Sequence, residues 1–195
     1  MYEHYQQAQV DANRIVLWGD SAAVSLLPTL TRCWPRIGQQ RVILTPGVRA
    51  AQCWDWSAVD GISGQTVSLL HRHRNNIGLR RLLAAIARHY ELGRDPQRQV
   101  ILWLDNDKAH KAKAVERLLR KHNHQIRIEW LPAYSPEWNP QEDIWQHMRR
   151  RVTHNSYFGH LDRLQQAVRG FHQQLEDAPD SVLHLISKWT YFIAS

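Results

Sequence analysis

Apolar residues along this chain fall in short dense runs, and the spacing inside those runs alternates between strand-like and helix-like. "RIVLWGD" (Arg14 to Asp20) is a continuous β-prone run bounded by Gly19 and ending on an acid. "RVILTPG" (Arg41 to Gly47) reads as a second strand. "AAQCWDWSAVDGISGQTVSLL" reads as a hairpin, two β-prone runs about a turn at Gly61 to Gly64. From Asn76 the period changes. Ile77, Leu79, Leu82, Leu83, Ile86 and Tyr90 make one stripe of a helix that Gly93 stops. "QVILWLD" is too continuously apolar for a half-exposed strand and reads as a buried one. A helix over "HKAKAVERLLRKHN" and a strand over "IRIEWLPAY" follow. "NPQEDIWQHMRRRV" is helical again, with Asn139 as N-cap and Pro140 in the first helical position. A last amphipathic helix runs through Leu161, Leu164, Val168, Phe171 and Leu175. This order predicts an α/β domain with a mixed sheet and helices on both faces.

The length of 195 residues suits a single domain with a real core. It divides into a lead-in over 1–13, the alternating body, and C-terminal helices over 156–195. A hydrophobic share of 43% and a charged share of 22% are those of an ordinary globular protein. No apolar run approaches the roughly 20 residues needed to cross a bilayer. "MYEHYQQAQVDANR" carries no secretory signal, and Cys33 and Cys53 lack metal-ligand spacing, so a cytoplasmic chain with reduced thiols is expected. Lys and Arg total 25 against 18 acids, a net charge of +7 and a pI near 9.8. Basic residues recur at "HRHRNN", "LRR", "LLRKHNH" and "MRRRVTH". Each cluster alone is a solvated face, but together they favour a polyanionic partner, nucleic acid. The nine Trp are read as core.

Two predicted strands end on acids, Asp20 and Asp105. If those strands are parallel neighbours, both carboxylates lie at one edge of the sheet, where open α/β folds place their sites. Asp105 is then either a turn residue or a metal ligand. Glu142 supplies a third acid. It sits three residues after Asn139, which suits a capping box, yet it also shares a helical face with Trp145. Asp143 is expected to project with His147 and Arg150 toward solvent. Three converging carboxylates repel one another unless a hard divalent cation joins them.

"DNDKAH" followed by "LPAYSPEWNPQEDIWQHMRR" resembles the catalytic core of mariner-superfamily transposases, and their bacterial insertion-sequence branch in particular. Asp105, Asn106 and His110 match the first element. Tyr134, Ser135, Pro136, Asn139, Pro140, Glu142 and Trp145 match the second, with 36 residues between Asp105 and Glu142. Asp20 with the Trp34 to Gly38 element resembles the first catalytic strand. Ser21 departs from the family, whose members commonly carry an acid there.

The resemblance implies a ribonuclease H-like fold, a mixed five-stranded sheet flanked by helices. It implies a DDE endonuclease that cleaves DNA at transposon ends and transfers the strand into target DNA at a TA dinucleotide. Asp20, Asp105 and Glu142 would hold two Mg²⁺ ions, with Mn²⁺ able to substitute. Arg149, Arg150 and Arg151 would meet phosphates or form a solvated face, and His110 would orient a phosphate or pack locally. Asp107 reads as a turn residue or N-cap. The implied partner is double-stranded DNA, both ends and target, bound by a homodimer near the nucleoid. Family members precede this core with helix-turn-helix modules. Thirteen residues cannot hold one, so end recognition is expected from a separate domain or chain. The rival reading is a non-catalytic or domesticated DNA-binding or assembly protein that keeps the transposase core.

Overall fold

A computed structural model describes residues 1–34, 36–39, 42–45, 50–106, 112–122, 125–132 and 135–189. Its elements, in chain order, begin with α1 (Tyr2–Val10), β1 (Arg14–Ser25), β2 (Gln52–Asp60), β3 (Thr66–His71) and α2 (Asn76–His89). They continue with β4 (Gln99–Leu104), α3 (Lys113–Lys121), β5 (Ile126–Trp130), α4 (Gln141–Met148), α5 (Leu161–Glu176) and α6 (Pro179–Leu185). The five strands form one mixed sheet in the order β3-β2-β1-β4-β5. β1 runs antiparallel to β2, β2 antiparallel to β3, and β1, β4 and β5 are mutually parallel.

Strand alternation explains the two-layered core. Val16 and Trp18 enter the cluster that holds Tyr5 of α1, Ile144 and Trp145 of α4, Leu164, Val168 and Phe171 of α5, and Val182 of α6. Ile15 and Leu17, one residue out of phase, enter the cluster of α2 and α3 with Leu79, Leu82, Leu83, Ile86 and Val115. Both faces of the central strands are therefore dry, which is why "VILWL" reads as continuously apolar. Gly78 is needed for the fit of α2: a Cβ there would meet the Trp56 indole at 2.4 Å.

Several expectations change. No strand forms over Val42 to Thr45, which lie outside the sheet with Val42 and Leu44 exposed; the remainder of that run is outside the described residues. The lead-in is a helix, α1, whose polar sequence buries only Tyr5 and Ala8 and so shows no apolar stripe. Ile77, placed on the buried stripe, is instead 44% exposed at the first turn of α2. The helix after Asn139 does not stay α through Val152: it widens into a π-helical turn over Arg149–Thr153, closed by the His154 N–H donating to the Arg149 carbonyl.

Candidate active site

The parallel register of β1 and β4 pairs Trp18 with Trp103, so the chain past Leu104 leaves the sheet beside Asp20. Asp20 itself does not end a strand. β1 continues to Ser25 against β2, because the antiparallel ladder outlasts the parallel one. Gly19 lets this crossing close up, since a Cβ there would meet Leu104 Cδ2 at 2.9 Å and Leu102 Cδ1 at 3.1 Å.

Glu142 arrives from the start of α4. The helix begins one residue later than expected, with Pro140 in the capping position; Asn139 Oδ1, just before it, accepts from the Gln141 N–H at 3.2 Å and braces the helix start. The other end of that amide, Nδ2, donates to Asp20 Oδ2 at 3.2 Å. One side chain thus ties the helix start to the acid of β1. The Asp20 carboxylate also accepts from the Ser21 N–H at 2.6 Å.

Each of the two outer acids faces an arginine. Asp105 Oδ2 lies 3.3 Å from Arg74 Nη2, and the Arg74 guanidinium also covers the Trp54 ring at 5.6 Å. Glu142 Oε2 lies 3.9 Å from Arg149 Nη2, two turns along the same helix face. Glu142 therefore looks toward Arg149 rather than closing a capping box. Among the described residues no cation pairs with Asp20. Burial, and then the neighbouring charges of Asp105 and Glu142, push its pKa up to about 6 against the opposing Ser21 hydrogen bond. The Trp145 indole N–H leans toward the carboxylate and eases it slightly, without a well-formed hydrogen bond.

Asp143 departs from the expectation. It is partly buried, not solvent-facing, and lines a cavity of about 570 Å³ with Glu137, Asn139, Glu142, Gln146, Lys188 and Trp189. Burial raises its pKa, and Lys188 and Arg150 oppose that shift. Lys188 and Trp189, beyond α6, close this side, which no periodicity within α4 could show. The three arginines also separate. Arg149 pairs with Glu142, Arg150 is exposed near Asp143, and Arg151 is exposed and lines a second cavity with His147 and Phe171. Consecutive helical residues point roughly 100° apart, so one face cannot hold all three. Asp107, His110 and Tyr134 lie outside the described residues. Arg74 was legible only as one member of the basic run "HRHRNN"; its approach to Asp105 depends on the β3–α2 connection.

Among the described residues, no three His, Cys, Asp or Glu side chains are already drawn together closely enough to hold an ion. The donor set nevertheless fits a hard cation in kind: three carboxylates from three elements, near enough for two of them to perturb the third. Asp20, Asp105 and Glu142 are the residues that could hold it.

The Asp20 environment makes a pH prediction. Its folded pKa lies above the ordinary 3.8, so the folded chain holds that proton more tightly than the unfolded chain. The contribution to stability is full below about pH 3.8 and is lost as pH rises through about 6, on the order of 3 kcal/mol in all. In EDTA, urea melts should show the stability of wild type relative to Asp20→Asn falling across that window. A difference that stays flat from pH 3.5 to 7 would refute the assigned crowding.

Parallel β1, β4 and β5 with an antiparallel β2–β3 edge and helices on both faces define a ribonuclease H-like fold. Residues 15–165 match the family described as DDE superfamily endonuclease, and the chain belongs to that family. A relative from Shigella sonnei, the insertion element IS630 uncharacterized 39 kDa protein, is 24% identical over 176 residues. The match covers 90% of this chain and 50% of that protein, so the chain spans about half the length of this curated relative. Among solved structures, a pre-cleavage Mos1 transpososome aligns with a TM-score of 0.66 at 16% identity, over 97% of this chain and 58% of that one. The Mos1 transposase catalytic domain with Raltegravir and Mn aligns at 0.53 and 14% identity, over 97% and 88%.

Proposed function

We propose that these residues are the catalytic portion of a DNA transposase, with Asp20, Asp105 and Glu142 as its metal-binding acids. The observation that supports this most is the convergence of three family-motif acids from β1, the end of β4 and the start of α4, with the Asp20 carboxylate disfavoured by burial and then by the charges of the other two. Two divalent ions, Mg²⁺ or Mn²⁺, would when bound activate the attacking oxygen and stabilise the leaving one at a phosphodiester. Asp20, buried and beside the charges of Asp105 and Glu142, gains most from a cation. Arg74 and Arg149, drawn off the outer carboxylates, become available to phosphate oxygens. Water attacks phosphorus at the element's end and frees a 3′-hydroxyl. That hydroxyl then attacks the phosphorus of a target phosphodiester, expected at a TA dinucleotide, and forms a new phosphodiester as the target's own 3′-oxygen leaves and takes up a proton.

The partner is double-stranded DNA at both steps. Exposed Arg150 and Arg151, beside Arg149, are placed to meet its backbone. A homodimer on DNA is supported by the segment between β1 and β2, where Leu27, Leu30, Trp34 and Ile37 are each more than half exposed. Among the described residues no helix is long and apolar enough to cross a membrane, and a cytoplasmic place near the nucleoid suits a DNA-acting chain.

The test is nicking of supercoiled plasmid with Mn²⁺, Mg²⁺ or EDTA, read beside the melting temperature. Wild type should nick only with metal, and millimolar Mn²⁺ should raise its melting temperature by linkage. Asp105→Asn should lose the nicking and most of the rise. A folded chain that binds DNA but responds to neither metal would instead be a DNA-binding or assembly protein.

A further inference from the structure

Gln141, the residue between Pro140 and Glu142, is fully buried, yet it is polar and both ends of its amide are used. Its Oε1 accepts from Ser57 Oγ at 2.9 Å, and its Nε2 donates to the Trp18 carbonyl at 3.1 Å. Ser57 is the cross-strand partner of Asp20 in the β1–β2 ladder, so the two side chains share one face of the sheet. Trp18 lies two residues before Asp20 on that strand. The amide of Gln141 therefore rests on both strands immediately beside the acid. Its own backbone N–H is held by Asn139, whose other end holds Asp20.

An apolar side chain would fill such a site without needing partners, and a buried amide is retained at a desolvation cost. What the amide adds is direction, because two hydrogen bonds of defined geometry fix both the rotation and the depth of the helix start. From this we infer that Gln141 and Ser57 are positioning residues: they lock the first turn of α4 to β1 and β2 and so set where Glu142 stands relative to Asp20. The inference rests on the proposed role of those two acids. Neither Gln141 nor Ser57 touches DNA or metal; both act through Glu142. The sequence motif points to the residues on either side of Gln141 and is silent about it.

The experiment compares wild type, Gln141→Met, Ser57→Ala and the double variant in three measurements. These are melting without metal, Mn²⁺ binding by calorimetry, and nicking resolved into kcat and KM for duplex. Met keeps the length and removes both polar ends. Gln141→Met should melt cooperatively while its Mn²⁺ affinity and kcat fall by roughly 10–100-fold, the range for residues that orient metal ligands. KM should stay within about two-fold, since DNA contacts are not altered. Ser57→Ala should shift the same two quantities in the same direction by less, and the double variant should be no worse than Gln141→Met because both act on one link. Wild-type metal affinity in a folded Gln141→Met overturns the inference, as does a loss confined to KM. If Gln141→Met does not fold, Ser57→Ala decides: unchanged Mn²⁺ affinity in that folded variant is equally fatal. A wild-type chain that neither binds Mn²⁺ nor nicks DNA overturns the proposed function and this inference together. A wild-type chain that does both, matched by its variants, overturns only the inference.

Discussion

Glu142→Gln should abolish metal-dependent nicking, while Asp143→Asn should leave it within a few-fold of wild type. The two acids are adjacent on α4 and both partly buried, so the contrast depends on direction and not on depth. Glu142 perturbs Asp20, faces Arg149, and lies beside the Asn139–Gln141 brace that binds the helix to β1. Asp143 lines the same cavity but feels the positive charges of Lys188 and Arg150 and does not perturb Asp20. Gln keeps the shape of Glu and removes the charge, so the loss at position 142 should exceed the roughly 10–100-fold expected for a residue one shell further out. Both variants should melt cooperatively, and Asp143→Asn should not lower the melting temperature, because burial disfavours the Asp143 charge more than Lys188 and Arg150 favour it. Plasmid nicking in Mn²⁺ reads the outcome. Equal losses would mean that the phase of α4 is misassigned, and loss at Asp143 alone would move the third acid by one position.

The reason Glu142 could be singled out from sequence, and Asp143 only half understood, is physical. Period within a helix identifies its buried face, so Ile144, Trp145 and Met148 were legible, and with them the side on which Glu142 stands. What covers the opposite side is a long-range matter: Lys188 and Trp189 lie 45 and 46 residues further along the chain and reach Asp143 only after α5 and α6 have packed. The same division runs through the fold. β1, the β2–β3 hairpin, β4 and β5 announce themselves by apolar runs and turns. The run at Val42 to Leu44 has the same local chemistry, but no partner strand takes it up. α1 escaped because a helix that buries only Tyr5 and Ala8 needs no stripe. At the site, the acids carried a motif, whereas Arg74, Ser57 and Gln141 owe their places to strand register and helix docking, which local periodicity does not encode.

Duplex binding by these 195 residues should collapse with salt and should be nearly blind to sequence. Among the described residues the helices turn their buried faces into the two cores, leaving Lys and Arg as the main means of meeting DNA. Around the proposed acids these are Arg72 and Arg74 after β3, Arg149, Arg150 and Arg151 in the π turn, and Lys188 beyond α6. A footprint of about six phosphates releases about as many condensed counterions, so affinity should fall roughly 10³-fold between about 50 and 200 mM salt. Arg150→Ala combined with Arg151→Ala should weaken binding to every duplex alike and flatten the logarithmic slope by about two. Neither arginine pairs with a proposed metal ligand, so Mn²⁺ affinity should not change. Discrimination for an element's own terminal repeat should then appear only when a base-reading module is supplied, fused or as a partner chain. A mobility-shift titration of that repeat against scrambled duplex, at two salt levels, reads all of this. A preference of about ten-fold or more by these residues alone, about 1.4 kcal/mol, would place end recognition within the catalytic core and would require a base-contacting element on a surface now assigned only to phosphates.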